Sequence, residues 1–219
     1  MLERYQPDTL KEVMIADATT RQELEGYIKH KSRTGKVLLF GKEGVGKSTI
    51  AKVLCAERLG VSSSTILVEQ GKWKDDLLKQ MLNTYYWAQS TGETPVVIVE
   101  AVELLKHKQG DLSDFMDAYK NSVLFILTAH NLGYVSAPIA NRSDMFHIYG
   151  FSVEKSVVIA RHYLRREGVF TSKRMLQRIF TECLAQGETE LTMRNIGVAL
   201  DELIRQSFRS SKDWQKLLN

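Results

Sequence analysis

Apolar residues fall along this chain in two textures that alternate with one another. Runs at 37–40, 64–68, 96–99 and 124–128 are predominantly apolar and contain β-branched residues, and a shorter fifth lies near 145–149. Such runs predict strands buried on both faces. Between them, apolar residues recur at helical spacing over 48–59, 75–90 and 112–120. Residues 8–31 read as one or two further helices. Asp17 or Thr19 is the N-cap candidate there, and Leu24, Tyr27 and Ile28 share one face. Strands alternating with helices predict an α/β fold, a parallel five-stranded sheet covered by helices on both faces. Right-handed crossovers then put the loops that follow the strands on one edge, where a ligand binds. After Gly150 the texture changes. Helical patterns cover 153–167, 173–185 and 192–206 with no strand between them. Two domains are therefore expected: residues 1–150, and an all-helical domain over 151–219 with its hinge at 149–151. The last ten residues, SSKDWQKLLN, suit either a short helix or a frayed end, with Trp214 and Leu217 as a docking surface.

Composition narrows the class without choosing a function. The chain has 219 residues, 43% of them hydrophobic, enough for a sizeable core. No apolar run approaches the roughly 18–20 residues that span a bilayer, and the N-terminus MLERYQPDTLKEV carries no basic-then-apolar signal. The two cysteines, Cys55 and Cys183, lie inside helical patterns without metal or disulfide spacing, which reads as two buried structural thiols in a reducing cytoplasm. A net charge of +4 permits contact with nucleic acid without requiring it.

The chemistry is concentrated in GKEGVGKS, Gly41 to Ser48, which fits the phosphate-loop pattern G-x-x-x-x-G-K-[ST] at every fixed position. A strand leads into it and a helix leads out. That order delivers a polyphosphate to the unpaired N–H groups of a helix N-terminus. Gly44 and Gly46 let the backbone curl into an anion nest. Lys47 reaches the outer phosphates, and the Ser48 hydroxyl, more than Thr49, suits magnesium. At the end of the third strand stands Glu100, where nucleotide hydrolases place an acid that supports the metal. The next residue is Ala101, and Glu103 follows three positions after Glu100.

In order and spacing these segments resemble the AAA+ ATPase subunits of sliding-clamp loaders, most nearly those of tailed bacteriophages. The similarity runs through ERYQPDTLKEV, GKEGVGKSTIAKVLC, VVIVEAVE, DFMDAY, FILTAHN, PIANRS and TMRN, and so covers nearly the whole chain. It implies ATP and Mg²⁺ as ligands, with Tyr5 and Pro7 beside the adenine. Gly41, Glu43, Gly44, Val45, Gly46, Lys47, Ser48 and Thr49 line the phosphates, and Ser48 and Glu100 support the metal. Either His130 or Asn131 senses the γ-phosphate. Arg142 reaches a neighbouring subunit's site as an arginine finger, and Arg194 contacts phosphates from a helical lid formed by 151–219.

The same resemblance implies partners: other AAA+ subunits, a sliding clamp, and DNA held through Lys72, Lys74 and Lys79. It places the protein in the cytoplasm of a bacterium or a phage-infected host, not in a membrane.

Five departures qualify it, among them Gln6-Pro7 in place of the Arg-Pro of the opening motif. Glu100-Ala101 stands for an Asp-Glu pair, and loss of the water-activating acid costs about 10²–10⁴-fold in rate. His130 stands where asparagine is usual. Asn141 and Ser143 flank Arg142 in place of serine and cysteine. The helical collar that joins such subunits into a ring is also expected to be missing. The expected function is thus an ATP-binding clamp-loader-type protein of DNA replication, with hydrolysis open to weakening. An ATP-holding adaptor or a helicase loader is the alternative, and a small-molecule kinase fits least.

Overall fold

The computed structural model describes residues 6–29, 34–59, 63–68, 77–184 and 188–217. The chain divides into two compact units, with the break between Ile148 and Tyr149. In the first, helix α1 (Ala18–Lys29) is followed by strand β1 (Gly35–Phe40), α2 (Lys47–Leu59), β2 (Ser63–Val68), α3 (Leu77–Thr91) and β3 (Thr94–Val99). A 3₁₀ segment, Val102–Lys108, leads into α4 (Gln109–Ala118) and β4 (Leu124–Ala129). The unit closes with the short α5 (Ala137–Ala140) and β5 (Asp144–His147).

All strand pairs are parallel, and the sheet order is β2-β3-β4-β1-β5. The α/β reading with five parallel strands therefore holds. Its cause is visible in burial: every residue of β4 and all but the first of β3 are buried. Two cores follow from this. One packs Leu24, Ile50 and Leu54 on β1 residues Val37 and Leu39. The other packs Met81, Leu112, Phe115 and Met116 on Val97, Phe125 and Leu127. The Asp17 carboxylate accepts from the Thr20 amide at 2.7 Å, so Asp17 is the cap of α1.

The second unit holds α6 (Val153–Arg166), α7 (Lys173–Leu184) and α8 (Met193–Leu217). Phe151 pairs with Leu191 in an isolated antiparallel bridge. Phe151, Leu164, Leu176, Phe180, Ile196 and Leu200 are buried. Ser152 and Ser172 cap α6 and α7 by accepting from the amides of Lys155 and Met175. Helix α8 continues to Leu217 instead of stopping near residue 206, because no glycine or proline interrupts that segment. Trp214 and Leu217 lie where side chains are not described. Cys55 is buried as expected, whereas Cys183 is only half-buried, and neither forms a disulfide. Among the described residues no helix is long and apolar enough to cross a membrane.

Candidate nucleotide site

The loop after β1 takes the shape its glycines allow. Gly41, Gly44 and Gly46 have φ of 146°, 80° and 103°, values that side chains other than hydrogen rarely permit. At Gly41 there is a second constraint. A Cβ there would lie 2.2 Å from the Ile148 carbonyl oxygen, so only glycine passes. At Gly46 a Cβ would meet nothing within 4 Å, so the constraint there is the positive φ alone. The loop is moored beneath by Val45, 2% exposed within the core. Lys47 begins α2 and is 6% exposed. Its ammonium donates to the carbonyl oxygens of Gly41 at 2.7 Å and Lys42 at 2.8 Å. A buried cation is thereby satisfied by the loop's own backbone, and the loop keeps its curl. Ser48 and Thr49 are half-buried in the same first turn, while Glu43 is exposed.

Three hydrogen bonds lace the strand ends beside this loop. Gly41 N–H donates to Ala129 O at the end of β4 (3.2 Å). Ala101 N–H donates to the buried Thr128 hydroxyl (3.0 Å), which fixes the turn after β3. His130 N–H donates to a Glu103 carboxylate oxygen (2.7 Å). Lys47, Ser48, half-buried Glu100 and half-buried His130 therefore gather on one edge of the sheet. Ala101 is 2% exposed and left-handed, with φ 52° and ψ 58°. That turn aims the chain into the 3₁₀ segment and brings Glu103 back toward β4.

Glu103 is a residue whose role the sequence left open. The same oxygen that accepts from the His130 amide lies 3.0 Å from the His130 Nδ1. Its second oxygen is buried with no partner among the described residues. Asn131 does something else: its side chain accepts from the Gly133 amide at 2.8 Å and caps the next turn. Gln109 holds that loop from the other side, donating to Tyr134 O and accepting from Ser136 N–H.

Arg142 sits elsewhere. It precedes β5, whose first residue, Asp144, pairs with Val37 near the start of β1, at the sheet edge away from the phosphate loop. Its Nε donates to both carboxylate oxygens of Asp117 (2.9 and 2.8 Å), and one terminal nitrogen donates to Pro138 O. Lys36 joins at 3.1 Å. The hydrogen bond from Lys36, with that from Arg142 behind it, holds the Asp117 carboxyl below the usual range.

The other predicted positions are scattered. Arg194 is exposed in the first turn of α8, in the second unit. Pro7 is half-buried ahead of the buried Leu10 and Val13, and Lys79 is exposed on α3. Tyr5, Lys72 and Lys74 lie outside the described residues. A cavity of about 650 Å³ lined by Tyr27, Arg58 and Asp144 also opens away from the loop, near Gly35 at the start of β1.

Several known proteins are similar. The sliding-clamp-loader large subunit of Enterobacteria phage T4 is 24% identical over 168 residues, covering 75% of this chain and 51% of that protein. Replication factor C small subunit 2 of Pyrobaculum islandicum is 23% identical over 203 residues, covering 90% and 62%. The mitochondrial Lon protease homolog of Mus musculus is 25% identical over 219 residues, covering 80% and 22%. The chain thus spans between about half and three fifths of the two replication proteins' lengths. Among solved structures, that of C. elegans PCH-2 superposes with a TM-score of 0.56 at 15% identity, over 92% of this chain and 73% of the other, a likeness of fold. The family model for the ATPase family associated with various cellular activities (AAA) matches residues 37–151, from β1 past the end of the sheet, and the chain belongs to that family.

Proposed function

We propose that this chain binds ATP with Mg²⁺ and serves as a clamp-loader-type subunit of a replication assembly. One observation supports the reading above others. The groups suited to ATP share one sheet edge, while Arg142 is held on the edge away from it. An arginine so placed would complete a neighbour's site, not its own. The left-handed glycines and the helix N-terminus that follows them suit a polyphosphate. Lys47 would neutralise the outer phosphates, and Ser48 and Glu100 would hold magnesium. When bound, the metal neutralises charge on the transferring phosphoryl group. Arg142 would stabilise that charge in the adjoining subunit, and an arginine so placed is worth about 10³–10⁵ in rate. Arg194 would act from the helical lid. Lys72, Lys74 and Lys79 would contact a DNA backbone, with a clamp as the further partner.

Ala101 favours a second reading, an ATP-holding adaptor with little hydrolysis, because no acid directly follows Glu100. Filter retention separates the two. Stoichiometric radiolabelled ATP, magnesium and protein are mixed with primed DNA, and the retained nucleotide is identified. ADP within minutes supports the loader, and rate per subunit should then rise with protein concentration and lose that rise in Arg142→Ala. ATP retained unchanged supports the adaptor. No retained nucleotide refutes both.

A further inference from the structure

Ala101 leaves the site without a carboxylate at the water-activating position, and Glu103 cannot take that place directly. Its side chain is 8% exposed. One oxygen is already engaged by the His130 amide and Nδ1, and the other is shut away from solvent. The imidazole beyond it is different, with a side chain 32% exposed. A carboxylate oxygen only accepts, so the 3.0 Å contact requires the hydrogen on Nδ1. In the neutral ring that leaves Nε2 with a free lone pair. His130 directly follows Ala129, whose carbonyl accepts from the first amide of the phosphate loop.

We propose that His130, oriented by Glu103, is the proton acceptor for the water that attacks ATP, in place of the acid that Ala101 lacks. This rests on the ATP-binding reading of the site. Water loses a proton to Nε2 of His130 as its oxygen bonds to the γ-phosphorus. The bond from that phosphorus to the β,γ-bridging oxygen breaks, and its electron pair leaves on ADP. His130 then returns the proton to solvent, and the products are ADP and phosphate. His130 is the catalytic residue and Glu103 a positioning residue. The 3.0 Å contact fixes the tautomer, and the hydrogen bond donated by the His130 amide to Glu103 ties the end of β4 to the 3₁₀ segment.

The experiment compares the full chain with His130→Asn, His130→Ala, Glu103→Gln and Glu103→Ala. Binding of a fluorescent non-hydrolysable ATP analogue, single-turnover conversion of radiolabelled ATP and ring ¹⁵N shifts of His130 are measured on each. Asparagine is the decisive replacement, since it keeps a polar hydrogen-bonding group but accepts no proton. The dyad predicts analogue binding within a few-fold of the parent and conversion slowed about 10²–10⁴-fold in His130→Asn, the span of a positioned general base. Added imidazole should restore part of the rate to His130→Ala.

For Glu103→Gln, whose amide oxygen still accepts, the Nδ1-protonated signature should persist. Glu103→Ala should lose it along with rate. Undiminished conversion by His130→Asn overturns the proposal, as does a parent chain that binds the analogue yet converts no ATP. A parent that binds no analogue overturns the ATP reading instead. Should Glu103→Ala fail to fold, the two His130 variants and Glu103→Gln still decide the matter.

Discussion

Two glycines of the phosphate loop should fail in opposite ways when given a methyl group. At Gly41 the new Cβ would lie 2.2 Å from the Ile148 carbonyl oxygen and 3.2 Å from its carbon. Relief requires the loop and the end of β5 to part by about 1 Å, judged against ordinary C···O contacts of about 3.3 Å. Hydrogen bonds on either side resist that motion, Gly41 N–H to Ala129 O and Ile148 N–H to Phe40 O. Overpacking of about 1–3 kcal/mol and a left-handed φ of similar cost act together, offset by under about 1 kcal/mol from a stiffer unfolded chain. The expected loss is about 2–5 kcal/mol, a fall of roughly 5–20 °C in Tm for a chain of this size.

Gly46→Ala meets no atom within 4 Å and bears only the cost of φ 103°. Under the ATP-binding proposal, the strained loop would present its amides to phosphate less well. Each charge-assisted hydrogen bond lost there is worth about 1.5–3 kcal/mol, or roughly 10- to 150-fold in affinity. Thermal melts of the free protein and titration with a fluorescent ATP analogue read the two effects separately. A Gly41→Ala chain melting within 2 °C of the parent would refute the packing argument. A Gly46→Ala chain binding the analogue normally would count against phosphate binding at this loop.

Other substitutions follow from the same geometry. Lys47→Ala removes a cation that would make two charge-assisted bonds to phosphate, so analogue affinity should fall by about 10²–10⁴-fold, as fluorescence titration would show. Ala101→Glu would put back the absent acid, but the position is 2% exposed and left-handed. The variant should melt about 3–10 °C lower from overpacking and gain no turnover; faster turnover at an unchanged Tm would contradict this. The Asp117 carboxyl should titrate below the ordinary aspartate range in an NMR pH series, and Lys36→Met should raise its midpoint more than Arg142→Ala does. Because the folded-state pKa is lowered, its stabilising effect is present above the unfolded-state pKa. It disappears as pH falls through the folded one.

The sheet and the phosphate loop were legible in the sequence because each has a local cause. Strands buried on both faces must be apolar throughout, and a loop around phosphate must carry glycines at fixed spacing. What escaped depends on turns without a signature. Ala101 and Lys106 adopt φ of 52° and 50° although neither is glycine, asparagine or aspartate, so the 3₁₀ segment between them left no mark. The Glu103–His130 contact joins residues 27 apart and exists only because β3 and β4 are neighbours in parallel register. Spacing likewise could not foretell that the Asn131 side chain accepts from the Gly133 amide.

The arrangement around Asp117 bears on how an assembly could cycle. An arginine that serves a neighbour must exchange one anion for another each time the neighbour's nucleotide arrives or departs. Were Asp117 held by Arg142 alone, every departure would leave a carboxylate without its counterion. Lys36 stays behind at 3.1 Å, so the holder keeps its charge balance whether the arginine is home or away. If Arg142 serves a neighbour as proposed, its departure gives up its hydrogen bonds to Asp117 and Pro138 but leaves Asp117 paired with Lys36.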